Sequence, residues 1–453
     1  MPQTNRRRFL AGSAAAVGSA AFAAPAIAGS RASANDRIRV GLLGLGGRMR
    51  SHVRALTELA EDNVEIVAVC DCDRKKREAP EKIYAELEGK KLTAYADMRK
   101  MFDDKSIDAL ANGLGDRWHA LSTIWACQAE KDVYVEKPGS HNLFESRQMV
   151  AAARKYNRMV QHGTQNRSSP NIMEGIQKLK EGVVGDLYMA RGIDYKLRGN
   201  LGRITPQPSP PEGLDWDMWL GPTAMQPYSN FWHRRWYWNL ALSSGCFANQ
   251  AVHELDILRW GLGLDRHPTH VTACGDKFVH DDDRTSPTHV AITYQFDEPK
   301  TFVTYEHRSW YTNGEAGFRD KYPFVQLNYP VGTMFFGTEG YMIFPDYSSY
   351  RTFLGPNCEP GPFKAEEGHP MADTPHFRNW IAAIRNRNHE ELNADIEEGH
   401  KSMVLCLLAR TAYQVGRCLK FDPKEEVVLD DEEANAMLNQ PKYREPYVVP
   451  KEV

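Results

Sequence analysis

The most chemically specific run in the chain is Gly41-Leu42-Leu43-Gly44-Leu45-Gly46-Gly47-Arg48-Met49, a glycine turn between an apolar stretch and an amphipathic one. Glycines there let the backbone approach a pyrophosphate, whose charge then sits at the positive end of the following helix. Counted from Gly44, the third glycine of a G-x-G-x-x-G pattern is replaced by Met49, so the pattern alone also describes a plain strand-to-helix connection. Position favours the dinucleotide, because the turn opens the first strand–helix unit and the next apolar strand ends in Asp71. An acid at that point accepts hydrogen bonds from both ribose hydroxyls and repels a 2′-phosphate. Gly44, Gly46, Gly47, Arg48 and Asp71 are therefore the expected cradle, and NAD the expected cofactor. Arg74 and Lys75 follow closely enough to leave NADP open.

A second constellation is Phe231, Trp232, Trp236, Tyr237 and Trp238, interleaved with His233, Arg234 and Arg235. Sugar faces present C–H groups that pack on aromatic rings while arginines bind hydroxyls, so Arg235, Trp236 and Tyr237 are the expected substrate contacts; core packing competes for the same rings. Upstream, Asp215, Trp216 and Trp219 fit a structural role. The eight cysteines show no repeated C-x-x-C pattern, and Cys70 and Cys72 read as small buried residues. His233, His253 and Asp256 do not stand at a familiar ligand spacing, and no metal is expected.

These residues must be positioned by two kinds of element. From Arg37 to Gly163, strands at Ile38-Leu43, Val64-Val69, Ala109-Asn112, Asp132-Val135 and Met159-Gln161 alternate with helical stretches at Met49-Ala60, Arg74-Leu87, Trp118-Ala129 and Phe144-Tyr156. Continuous apolar strands separated by helices predict a doubly wound parallel α/β sheet covered on both faces. Beyond Gly185, Leu187-Tyr195, His289-Phe296, Thr301-His307 and Thr333-Phe336 alternate with period two, which predicts an open, mainly antiparallel sheet in an α+β domain. Helices are expected at Phe377-Arg385 and His400-Val415, and the Pro- and Trp-rich stretch from Gly199 to Asn239 is too long for a connector and reads as a binding loop. The resulting division is 1–28 signal, 37–163 dinucleotide-binding domain, 164–420 substrate domain and 421–453 tail.

The chain has 453 residues, 42% hydrophobic and 25% charged, with a formal net charge of -3. That length calls for two domains, and the charge balance gives no reason to expect nucleic acid or an anionic membrane as partner. Asn5-Arg6-Arg7-Arg8-Phe9-Leu10, followed by an Ala/Gly/Ser-rich run and Ala26-Ile27-Ala28, resembles a twin-arginine export signal with its cleavage site. The expectation is a periplasmic or otherwise extracytoplasmic protein, soluble after cleavage and exported folded with its cofactor inside. Free dinucleotide is scarce there, so one reading is a captive cofactor reduced and reoxidised by two substrates in turn.

Val133-Tyr134-Val135-Glu136-Lys137-Pro138, Gly113-Leu114-Gly115-Asp116-Arg117-Trp118-His119, Gln161-His162-Gly163-Thr164-Gln165, Gly337-Thr338-Glu339-Gly340 and the run from Asn393 to His400 together resemble the Gfo/Idh/MocA oxidoreductases over nearly the whole mature chain. The resemblance implies a Rossmann domain followed by the open sheet, and a sugar or polyol substrate. It places Trp118, His119, Glu136 and Gln165 with the cofactor, and Lys137 beside both nicotinamide and substrate. A partly desolvated lysine next to a cationic ring has a lowered pKa and suits the hydroxyl proton that accompanies hydride removal. The family's D-x-x-x-H signature reads here Asn249-Gln250-Ala251-Val252-His253, followed by Asp256. Spacing of four on a helix would aim Asn249 and His253 at one substrate, with Asp256 orienting the imidazole. An amide takes no proton, so base duty falls to Lys137 or His253. Two other readings stand beside a dehydrogenase: a glycosidase that oxidises its sugar transiently, slightly raised by Asn249, and a non-catalytic dinucleotide or sugar sensor. The family's open sheets commonly pair, which implies a dimer or tetramer.

Overall fold

The computed structural model describes residues 36–205, 207, 209–310, 331–364, 372–439 and 442–453. The signal read at 1–28 lies outside them. From Ile38 onward the chain forms one compact unit.

Its first layer contains β1 (Ile38–Leu43), α1 (Met49–Glu58), β2 (Val64–Cys70), α2 (Arg74–Glu78), β3 (Thr93–Tyr95), α3 (Met98–Asp103), β4 (Ala109–Asn112), α4 (Asp116–Gln128), β5 (Asp132–Val135), α5 (Leu143–Lys155) and β6 (Val160–His162). The strands pair in the order β3-β2-β1-β4-β5-β6, all parallel. Every residue of β4 and β5 is buried, as a sheet covered on both faces requires. The single long helix expected over Arg74-Leu87 is absent. Asp73 caps α2 by accepting from Lys75 N at 3.0 Å, but the helix stops at Glu78, ahead of Pro80, and two 3-10 turns follow. Proline has no N–H and disfavours helical backbone in the residue before it. The short β3 and α3 carry too little periodicity to be read from sequence.

The second layer follows through α6 (Pro170–Lys180), β7 (Leu187–Asp194), α7 (Trp216–Leu220), α8 (Asn230–Arg235), α9 (Ala251–Gly261), β8 (His270–Asp276), β9 (His289–Asp297), β10 (Lys300–Arg308), β11 (Val331–Gly337), β12 (Gly340–Phe344), β13 (Tyr350–Leu354), β14 (Glu359–Lys364), α10 (Asp373–Asn386), α11 (Ile396–Val415), β15 (Leu419–Asp422), β16 (Val427–Val428) and α12 (Glu432–Asn439). Its ten-stranded sheet runs β14-β13-β12-β11-β7-β10-β9-β8-β15-β16 and is antiparallel except for the β7–β10 pair. Leu255, Leu258, Val404 and Leu408 of α9 and α11 share a core with Ile292, Tyr294, Val303 and Tyr305 on the sheet's inner face. Across its outer face the pairing aligns Phe353, Tyr341, Phe336, Met189 and Phe302 in one row.

Packing does not respect the sequence boundaries. Phe377, Trp380 and Ile381 of α10 join the core of β1 and α1, and Tyr447 and Val449 near the C-terminus join that of α4. The nucleotide layer is thus clamped from behind by the end of the chain.

Candidate active site

The carboxyl ends of β1, β2, β4 and β5 open on one edge of the parallel sheet, where α/β folds hold their ligands. Gly44 follows β1 with φ +79°, and a Cβ on it would lie 2.9 Å from Leu114 and 3.0 Å from the Gly113 carbonyl. This glycine is demanded by the fold. Gly46 and Gly47 are not demanded by the fold, since a side chain on either would meet nothing within 4 Å, and both line the cleft. Met49, in the place of the missing glycine, is fully buried beneath the turn with its Cε toward Gly113, and leaves the approach open. The cleft, open to solvent, spans about 1160 Å³ and is walled by Gly44, Gly46, Gly47, Arg48, Asp71, Trp118, His119, Glu136, Lys137, Trp219, Trp236 and Asn249 among others.

Asp71 is held toward this space by the backbone: Oδ2 accepts from Leu45 N at 2.7 Å and Oδ1 from Asp73 N at 2.8 Å. The cation beside it is neither Arg74, which pairs with Glu212 at 2.9 Å, nor Lys75, but Lys76, whose Nζ lies 3.8 Å from Asp71. An open glycine turn, an anchored acid on the neighbouring strand and a cleft of this size fit a dinucleotide.

Glu136 is a structural anchor more than a free ligand. Its Oε1 accepts from Arg48 Nε at 2.7 Å and faces His52 Nε2 at 2.9 Å, and Oε2 accepts from Lys137 N at 3.0 Å. Burial pushes this carboxyl up, but the Arg48 guanidinium and then His52 hold it well below the usual range. Arg48 also pairs with Asp373 of α10, and Gln165 braces it, with Nε2 donating to Gly163 O at 2.6 Å and Oε1 accepting from Arg48 Nη2 at 3.0 Å. Gln165 supports the cleft from behind and does not line it. His119 is likewise committed, its ring nitrogens lying 2.7 Å from Pro138 O and 2.9 Å from Leu114 O, and Trp118 Nε1 donates to Met218 O at 2.8 Å.

Lys137 extends from β5 to the inner wall, where Nζ donates to Asn249 O at 2.5 Å and lies 3.4 Å from Asn249 Oδ1. Burial lowers the lysine's pKa, with Glu136 opposing. The two halves of the chain meet at this contact. The expected helical face carrying Asn249 and His253 is not what brings them there. A turn through Gly245 (φ +57°) comes first, Asn249 N donates to Gly245 O at 2.9 Å, and α9 begins only at Ala251. His253 stands behind the wall, buried, with Nδ1 meeting no partner; burial and then the Lys137 charge lower its pKa well below the ordinary value. Asp256 does not orient it. That carboxylate accepts from Arg167 Nε at 2.8 Å and from Ser402 Oγ at 2.6 Å instead.

The aromatic cluster divides. Residues 236–238 form a 3-10 turn, in which successive side chains point about 120° apart. Trp236 reaches the cleft, Trp238 is buried and Tyr237 packs against the sheet core; Arg235 lies over the Phe231 ring at 5.1 Å. The structure therefore brings Trp236 to the site and leaves Arg235 and Tyr237 outside its lining. Trp219, read as structural, lines it, with Arg117 stacked 3.9 Å from its ring.

Sequence reasoning missed a buried polar group next to His253. Tyr347 Oη donates to Glu254 Oε1 at 2.6 Å, Gln250 Nε2 donates to the same oxygen at 3.0 Å, and Lys196 bonds Gln250. Burial, then Asp194, pushes Glu254 up to about 8. Only the adjacency of Glu254 to His253 could have flagged it. Of the residues weighed for a metal, His233 packs edge-on to Trp219 and Asp256 is paired with Arg167. A different group, His267, His400 and Glu426, lies together but lines no part of the cleft.

Residues 38–164 match "Oxidoreductase family, NAD-binding Rossmann fold", 222–342 match "GFO/IDH/MocA C-terminal domain", and 350–449 match "Oxidoreductase family, C-terminal alpha/beta domain". The chain belongs to the Gfo/Idh/MocA family of NAD-binding oxidoreductases. It is 26% identical over 229 residues to inositol 2-dehydrogenase 1 of Saccharopolyspora erythraea, and 23% over 227 residues to myo-inositol 2-dehydrogenase of Thermotoga maritima. Each match covers 50% of this chain and 55% of the relative, so the chain spans about half the length of the curated relatives it matches. Among solved structures, the WlbA dehydrogenase from Bordetella pertussis, in complex with NADH and UDP-GlcNAcA, superposes with a TM-score of 0.62 at 19% identity, over 85% of this chain and 99% of that one. Identity that low speaks for the fold.

Proposed function

We propose that this protein passes a hydride between a carbinol carbon of a sugar or other polyol and NAD. The observation that carries the reading is the Lys137 amine, held against Asn249 of the second layer at the wall of the same cleft that contains the open glycine turn and Asp71. The names of the inositol dehydrogenase relatives agree with it.

The nicotinamide, when bound, takes up or returns the hydride. Gly46 and Gly47 leave room for the pyrophosphate, and Asp71 meets the ribose hydroxyls. Lys137, eased toward its neutral form by burial, accepts the hydroxyl proton as the carbinol C–H is lost, and returns it in the reverse direction. Asn249 orients the hydroxyl without taking the proton, and Trp236 completes the substrate side.

Purified protein incubated with NAD and a panel of sugars and inositols should reduce the nicotinamide, followed by its absorbance. Glycoside cleavage without net reduction would replace this reading with the redox-assisted glycosidase, and unchanged turnover in Lys137→Ala would remove the proton role. The nucleotide released on denaturing freshly purified protein decides NAD against NADP and captive against exchangeable cofactor.

Residues 1–28 are proposed to direct export by the twin-arginine route, checked by fractionating cells that carry the Arg6→Lys/Arg7→Lys variant. The outer-face row of Phe353, Tyr341, Phe336, Met189 and Phe302 supports pairing of two sheets into a dimer or tetramer, which light scattering of wild type against Tyr341→Lys would test.

A further inference from the structure

Beside the dinucleotide cleft lies a second one of about 870 Å³, bounded by residues 222–226, the start of α5, α11 and Tyr443. Two buried guanidiniums wall it. Arg117 is 4% exposed; its Nε and Nη2 donate to Trp219 O at 2.9 and 2.7 Å, its guanidinium lies 3.9 Å from the Trp219 ring, and among the described residues its Nη1 meets no acceptor. Arg410 is 5% exposed; Nη1 donates to Ser244 Oγ at 3.2 Å and Nη2 to His141 O at 2.8 Å, and among the described residues its Nε meets no acceptor.

The acids nearby attract them from a distance without forming an ion pair. Asp116 accepts from Ser243 Oγ at 2.6 Å. Glu145 spends its oxygens on His141 N at 2.7 Å and Tyr443 Oη at 3.2 Å, and burial pushes it up to about 7. Neither pairs with a guanidinium. His141, near both arginines, is pushed down to about 3 by burial and then by Arg410, and so adds no charge. Exposed Lys442 at the rim adds another positive group.

Neutral acceptors and a ring offset only part of the cost of a buried charge that has no carboxylate partner, and the planar fork of arginine matches carboxylate and phosphate oxygens. We propose that this second cleft binds the carboxylate or phosphate of a small anion between Arg410 and Arg117. The site is separate from the hydride-transfer reading and requires no step of it. Because Arg117 also lines the first cleft, an anion there lies one side chain from the dinucleotide.

The test is isothermal titration of the NAD-saturated full-length protein with inorganic phosphate, glucuronate and, as a neutral control, glucose. At least one anion should bind where glucose does not, and Arg410→Gln should weaken it by about tenfold or more, with Arg410→Lys retaining more than Gln. Phosphate binding alone identifies a phosphate site, and glucuronate binding alone a sugar-carboxylate site. NAD affinity, measured in parallel, should be the same in Arg410→Gln as in wild type, which verifies the fold and separates this result from the oxidoreductase reading. Absence of binding by both anions, or equal binding by wild type and Arg410→Gln, overturns the proposal.

Discussion

Replacing Glu136 with Gln tests the electrostatics under the lysine. The carboxylate is 3% exposed and its Oε1 takes both Arg48 at 2.7 Å and His52 at 2.9 Å. Glutamine has the same shape but one acceptor oxygen, so it keeps either the bond from Lys137 N or those from Arg48 and His52. Two charge-assisted bonds of about 1.5–3 kcal/mol each are at stake, and Arg48 keeps Asp373 as a partial substitute, which puts the cost at about 2–4 kcal/mol. The pH dependence has a definite sign. A carboxyl held well below its ordinary 4.5 stabilises the fold fully above that value and loses the contribution as pH falls toward the folded pKa. One unit lower, near pH 3.5, about 1.4 kcal/mol of the wild-type advantage should be gone. Urea unfolding of both proteins at neutral pH and near pH 3.5 measures the gap at each. A neutral-pH gap below about 0.5 kcal/mol, or one that does not shrink in acid, would refute the assignment.

Lys137→Ala should lower turnover by about 10²–10⁴-fold while leaving NAD binding in place, as measured by steady-state rates beside fluorescence titration. Because burial depresses this amine, the rising limb of kcat/KM for oxidation should fall below the ordinary lysine value of 10.5 and be absent from the variant. Gly46→Val should leave the unfolding midpoint almost unchanged yet abolish dinucleotide binding, since its side chain enters open space. Gly44→Ala, strained at φ +79° and 2.9 Å from Leu114, should instead lower the midpoint, and calorimetry distinguishes the two.

Most of the parallel layer was legible in the sequence because its central strands, β4 and β5 above all, are buried on both faces and read as short, mainly apolar runs. The second sheet was legible through its alternation. What could not be read were effects that depend on a single turn. Pro80 cut the helix expected over 74–87, and Gly245 delayed α9 so that Asn249 reaches Lys137 from a loop and not along a helical stripe. Asp256 looked like a partner for His253 at three residues' spacing, yet Arg167, far away in sequence, claims it. Trp236 and Tyr237 are adjacent in sequence and part company in a 3-10 turn. The group around Glu254 and Tyr347 is assembled from elements that no local pattern connects.

Asp373, Arg48, Glu136 and the amide of Lys137 follow one another as a continuous ionic and hydrogen-bonded line. It begins on α10, passes under the glycine turn, and ends on the residue meant to touch the substrate. On the proposed reading, the turn that would seat the pyrophosphate and the amine that would meet the reacting hydroxyl are two ends of one strut, braced against α10. Slackening any joint should therefore loosen cofactor and slow chemistry in proportion, so that grip and speed decline together.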